Sequence, residues 1–164
     1  MNVIIRDDPE AMAKRIRAIL KLKDTKVNVG LLPSAGGRLH FILAVQSHGS
    51  PVMHIPARPV VRPALAQEEV RAAMAGDMLE AVKTAWEGKD PHAALQAAGQ
   101  DGADGIRQYI DSGVLQPNSP VTVSGGWIFN RVARKGVYVP GKGFNKPLVD
   151  SGALYSAFDY EIEE

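Results

Sequence analysis

Near the carboxyl end the apolar period changes, and that change dictates how the chain can close. Leu154 and Phe158 stand four apart, the spacing of one helical face. Phe158, Tyr160 and Ile162 then alternate with Asp159, Glu161 and Glu163, the period of a strand with one dry face. A short oxygen side chain at Asp150 or Ser151 can accept an orphan N–H of a first helical turn. The segment predicts a loop, one or two helical turns and a closing strand.

The same local chemistry reads along the rest of the chain. Val3, Ile4 and Ile5 predict a short first strand. Asp8-Pro9-Glu10 opens a helix: Asp caps, Pro takes the first helical position and Glu favours the positive end of the dipole. Met12, Ile16, Ile19 and Leu20 form its stripe, surrounded by Lys14, Arg15, Arg17, Lys21 and Lys23. Such a helix suits a solvated outer face, a membrane surface or nucleic acid. Val27, Val29 and Leu31 alternate as a second strand, and Pro33 to Gly37 reads as a turn or mobile loop. His40 to His48 predicts a short helix ended by Gly49.

Pro51, Pro56, Pro59 and Pro63 make 51–63 an extended, semi-rigid arm or an edge strand, because proline donates no ladder hydrogen bond. From Pro63 to about Gly88 a long helix carries Val70, Met74, Met78, Ala81, Val82 and Ala85 on one face. Asp90-Pro91 starts another, to about Ser112, with Ala94, Ala98, Gly102, Ile106 and Ile110 in its stripe. Gly99, Gly102 and Gly105 each cost about 1 kcal/mol relative to Ala in a helix. They imply either close approach of a neighbouring element or a weak first half. Residues 113–149 read as a long Gly-rich, basic loop region, within which Trp127 to Val132 and Gly136 to Val139 fit helix, hairpin or ordered loop alike. Together the elements predict a single α+β domain over 1–164. A small, mostly antiparallel sheet of the Val3, Val27 and Phe158 strands, with Val52 to Ile55 a candidate member, packs against two or three helices.

Composition narrows function. A chain of 164 residues can bury a core. Without cysteine it has no disulfide, thiol nucleophile or thiolate metal site, as in a reducing cytoplasm. No apolar run approaches bilayer length, and the first eight residues do not resemble a signal peptide, so a soluble intracellular protein is expected. A formal net charge of +1 gives no overall field for nucleic acid. Yet no acidic residue lies between Thr25 and Gln67, nor between Ser112 and Val149. Three readings are open: head-to-tail self-assembly of basic on acidic surfaces, contact with DNA, or a chance pattern balanced within the monomer.

No catalytic constellation emerges. His40, His48, His54 and His92 lack metal-ligand spacing. Ser124-Gly-Gly126 has Thr122 where a nucleophile elbow needs Gly. Gly136 to Gly143 lacks the Walker spacing, and Asp101 and Asp104 have no catalytic base beside them by spacing. The expectation is no enzyme, no cofactor and no metal.

Two segments carry a resemblance. Ile55-Pro-Ala-Arg-Pro59 and Arg62-Pro63 precede a long helix, and Lys146-Pro-Leu-Val-Asp-Ser-Gly-Ala-Leu154 precedes Phe158-Asp-Tyr-Glu-Ile162. This order resembles the tail-completion and head–tail joining proteins of long-tailed bacteriophages, the virion morphogenesis type. That family has an Ile-Pro-x-Arg-Pro-aromatic arm, two helices, a Pro-Leu-x-Asp-Thr-Gly-x-Leu motif and a final strand. Ser47-His48 departs from the usual Glu-aromatic, Val60 from an aromatic and Ser151 from threonine. The resemblance covers most of the chain as an order of elements, and its wording is close only in the two motifs.

What it implies is a structural protein of the virion neck, made in the host cytoplasm and assembled as a homo-oligomeric ring, expected as a hexamer. Its neighbours would be connector, tail-tube or terminator proteins, with tail terminator or head closure as alternative placements. Arg58, Pro59, Arg62, Pro147, Leu148, Asp150, Ser151 and Leu154 are the expected interface residues. Arg131, Arg134, Lys135 and Lys142 are expected at a basic rim or lumen, in non-specific contact with DNA. Two competing classes are a small nucleic-acid-binding protein and a hydrolase built on Asp150 and Ser151.

Overall fold

A computed structural model describes residues 8–52, 54–130 and 134–163. The Val3 strand expectation and Arg131 lie outside the described residues. In chain order the elements are α1 (Pro9–Asp24), β1 (Lys26–Leu31), α2 (Gly37–His48), α3 (Val61–Leu65), α4 (Glu68–Trp86) and α5 (His92–Asp111). There follow α6 (Pro120–Ser124), β2 (Gly126–Asn130), β3 (Lys135–Val139), α7 (Ala153–Ser156) and β4 (Phe158–Glu163). The architecture is α+β, with two small antiparallel sheets of two strands packed against helices rather than one sheet. The chain gathers into two compact units.

The first unit comprises Met1–Leu32, Leu65–Gly105 and Asp159–Glu164. In α1 the Asp8 carboxylate accepts the Glu10 N–H at 3.0 Å and Pro9 opens the helix, as the sequence predicts. The stripe is only half covered: Ile16 and Leu20 remain 47% and 56% exposed. β1 pairs with β4, and the Asn28 side-chain amide donates to Glu163 Oε1 at 2.9 Å across the pair. The helix expected from Pro63 is in fact two, α3 and α4, because Gln67 turns extended (ψ 138°) between them. Glu68 and Glu69 then lie at the positive end of the α4 dipole.

The glycines of α5 resolve as sites of close approach. A Cβ on Gly99 would lie 2.9 Å from Tyr160 Cβ, one on Gly102 3.0 Å from Val29 Cγ1, and one on Gly105 2.7 Å from Val70 Cγ1. β1, β4 and α4 therefore sit directly against the α5 backbone. The helix gives up propensity where the packing gains contact.

The second unit comprises Pro33–Ala64 and Ile106–Phe158. α2 starts three residues before the expected His40 and ends at Gly49, φ 72°. A Cβ there would lie 2.8 Å from Ala57 N, so glycine serves both the turn and the contact. The 51–63 stretch is not a free arm. Ser50 and Ile55 exchange backbone hydrogen bonds of 2.8 and 2.9 Å, and Arg58 N–H donates to Gln46 O at 2.7 Å. Val60 and Ala64 are buried. Proline removes ladder donors, but the N–H groups of His54, Ile55 and Arg58 donate to the carbonyls of Pro51, Ser50 and Gln46. Val52 to Ile55 accordingly contributes an isolated bridge rather than a sheet strand.

Within the expected loop region, α6 is capped by Ser119 Oγ, which accepts the Thr122 N–H at 3.3 Å. β2 and β3 then form an antiparallel hairpin that pairs Trp127 with Tyr138, Ile128 with Val137 and Phe129 with Gly136. Ile106, Ile110, Leu115, Leu154 and Phe158 are among this unit's buried side chains.

Candidate functional site

The closing motif begins with a turn over Lys146-Pro147-Leu148-Val149, in which Val149 N–H donates to Lys146 O at 3.4 Å. Proline at the second position and a positive φ (62°) at Leu148 are the requirements of a type II turn. Leucine in the left-handed region costs about 1–2 kcal/mol, so the surroundings must hold it. Lys142 does so. Its ammonium donates to Lys146 O at 2.7 Å and Val149 O at 2.6 Å, the two carbonyls that flank Pro147 and Leu148. It also lies 4.7 Å from the Phe144 ring centroid. Burial pushes the Lys142 pKa down and the Arg58 charge adds to this, while Asp150 opposes it. Expected at a basic rim, Lys142 instead grips the turn from within.

The motif is tied again at its far side. Lys146 Nζ meets Asp111 Oδ1 at 2.7 Å, and Tyr155 O–H donates to Asp111 Oδ2 at 2.8 Å. These hydrogen bonds, from Lys146 first and then Tyr155, hold the Asp111 carboxyl below its usual range. The same contact with Asp111 raises the Lys146 ammonium and the Tyr155 phenol. Ser151 Oγ accepts the Ala153 N–H at 3.4 Å, and Gly152 at φ 82° turns the chain into α7. Neither expected cap occupies the N-cap position, which is Gly152 without a side-chain cap; Ser151 makes only the local contact to Ala153 N–H, and Asp150 is exposed.

Arg58 departs furthest from expectation. Only 6% exposed, it donates from Nε to Gln116 O (2.7 Å), from Nη1 to Gln46 Oε1 (2.9 Å) and from Nη2 to Pro117 O (2.9 Å). Desolvation lowers its pKa. The guanidinium clamps α2 to the loop before α6 from inside the unit.

Between these parts lies a cavity of about 1030 Å³, lined by Arg38 and Ile42 of α2, Asn118, and the stretch from Leu148 to Leu154. Ile128 and Val139 of the hairpin complete the wall. The Asn118 side-chain nitrogen is buried there without a hydrogen-bond partner. His54, Asp150 and Ser151 also border the cavity, but no hydrogen bond joins the three among the described residues. The opposite hairpin face is aromatic and uncovered: Trp127, Phe129 and Tyr138 are 74%, 67% and 55% exposed. Trp127 meets Tyr138 edge to face, with centroids 5.8 Å apart.

No family model, curated protein or solved structure matches the chain.

Of the other expected interface residues, Pro59, Arg62 and Ser151 are exposed and Leu148 is half-buried on the cavity wall. Pro147 and Leu154 are buried, because apolar side chains of the motif complete their own unit's core. Arg134, at φ 50°, and Lys135 are exposed where β3 begins. Sequence reasoning missed the aromatic face, whose only signal is Trp127 and Phe129 two apart. It also missed the Asp111 contacts, which join residues distant along the chain. Among the described residues, no group of three or more His, Cys, Asp or Glu is placed to hold a metal, and no helix is long and apolar enough to cross a membrane.

Proposed function

We propose that this chain is a structural protein of a phage virion neck, which completes the tail or joins it to the head as a ring of identical subunits. The observation that carries the reading is the Pro147-Leu-Val-Asp-Ser-Gly-Ala-Leu154 motif. It resembles the closing motif of the virion morphogenesis family, and Lys142, Asp111 and Ser151 fix it as a turn. A motif whose turn is gripped by Lys142 at the carbonyls of Lys146 and Val149 suits a permanent structural part. Tail termination and head closure are neighbouring placements in the same neck and would use the same build. Deleting the reading frame from the phage that encodes it should leave full heads and finished tails unjoined, and purified protein should restore joined particles. Normal infectious particles from the deletion would contradict the proposal.

A second reading, nucleic-acid binding, draws on the exposed Trp127 and Phe129 beside Arg134 and Lys135, since bases stack on aromatic rings next to cations. Tight, salt-dependent binding of single-stranded DNA by the monomer would favour it.

A further inference from the structure

The division into two units gives the charge pattern a shape. By sequence, the first unit holds ten Lys/Arg against sixteen Asp/Glu, and the second nine Lys/Arg against two Asp/Glu. Their formal charges are −6 and +7, which the total of +1 conceals. The basic unit carries the uncovered aromatic hairpin face. A two-stranded hairpin is marginal on its own, and exposed Trp and Tyr beside charged residues have the composition of a protein interface. On α4, in the acidic unit, Leu79, Val82 and Trp86 stand on one helical face and remain 55%, 45% and 43% exposed.

We infer that the Trp127, Phe129 and Tyr138 face docks on the acidic unit of a second copy of this chain, along the exposed apolar row of α4. Two matches select that occupant. The hairpin's unit of charge +7 attracts the −6 unit of another copy, and the exposed apolar row of α4 on that acidic unit gives the aromatic rings an apolar counterpart, which a phosphate backbone does not. Arg58 and Lys142 are committed to internal carbonyls and Lys146 to Asp111, which leaves fewer cations for phosphates. The contact joins unlike surfaces, so repetition closes a ring or runs on as a filament. As a subunit contact of the neck ring it rests on the function proposed above, though it is measured on the free chain.

Sedimentation velocity over a wide concentration range, at low and high salt, tests it with three proteins. These are the wild type, a hairpin variant (Trp127→Ser with Phe129→Ser) and a helix variant (Leu79→Ser with Val82→Ser). All four side chains are exposed, so thermal melts should stay near wild type. A second hairpin variant, Arg134→Glu with Lys135→Glu, reverses two charges and leaves the aromatic rings. The wild type should associate, more weakly in high salt, and every variant should weaken association at least tenfold. An equimolar mixture of the serine hairpin variant and the helix variant should recover dimers and nothing larger, because each retains the face the other lacks. A wild type that stays monomeric overturns the contact, as do variants that associate like the wild type, or a mixture that recovers nothing. Loss of single-stranded DNA binding by the hairpin variant of a monomeric protein overturns it in favour of nucleic acid. None of these results decides the neck assignment, which stands or falls with the deletion phage.

Discussion

Arg58 and Lys142 show how far a cation's role depends on what surrounds it. Both were legible as basic residues in acid-free stretches, and both donate to main-chain carbonyls inside the fold. The sequence could not reveal this for Arg58, because two of its acceptors lie 58 and 59 positions away. Arg58→Ala leaves three acceptors without a donor and should cost about 3 kcal/mol in chemical denaturation, the scale of charged hydrogen bonds lost from a buried site. Arg58→Lys should recover little, since a point charge cannot span three divergent acceptors. Asp111 makes a pH prediction. Its folded pKa lies below its unfolded value near 3.9, so its contribution is present above about pH 4 and fades as pH falls through the folded value. Lys146 and Tyr155 are raised, so theirs is present at neutral pH and is lost as pH climbs through their folded values. Asp111→Asn should flatten both limbs of the melting temperature against pH. Unchanged limbs would mean that the contact contributes nothing in solution, as many exposed ion pairs do.

Among the elements, those with local chemistry were readable and those that depend on distant partners were not. Asp8-Pro9 signalled α1 because cap and first turn are adjacent in sequence, and β4 showed itself by clean alternation. The break at Gln67 carries no glycine or proline and left no signal. The hairpin was undecidable because Trp127, Ile128 and Phe129 are all apolar, so no period of two survives. Its two faces differ in surroundings, with Ile128 on the cavity and its neighbours in solvent. The α5 glycines offered two readings, and the packing selects one. Gly99→Ala should therefore destabilise by about 1–3 kcal/mol as the added methyl displaces the Tyr160 ring. Gly76→Ala, on the open face of α4, should stabilise by about 1 kcal/mol through helix propensity alone. Thermal melts of the pair check the distinction, and equal effects would contradict it.

At the scale of the molecule, two features that looked separate in the sequence belong together. Most of the first acid-free stretch and all of the second fall in the second unit, and that unit also contains the resembling motifs from Ile55 to Pro63 and from Lys146 to Leu154. The motif turn is internally braced by Lys142, while under the proposed self-contact the aromatic hairpin and the opposed unit charges would supply the repeated surfaces. A subunit with one basic and one acidic half suits ordered repetition better than solitary function. If the proposed function holds, a phage encodes this chain, and the most direct measurement is an electron cryomicroscopy reconstruction of that phage's intact particle. The account predicts a ring of copies of this chain at the head–tail junction, with the hairpin of each against the next. Its absence from the purified particle, or its presence there as scattered single copies, would contradict the account.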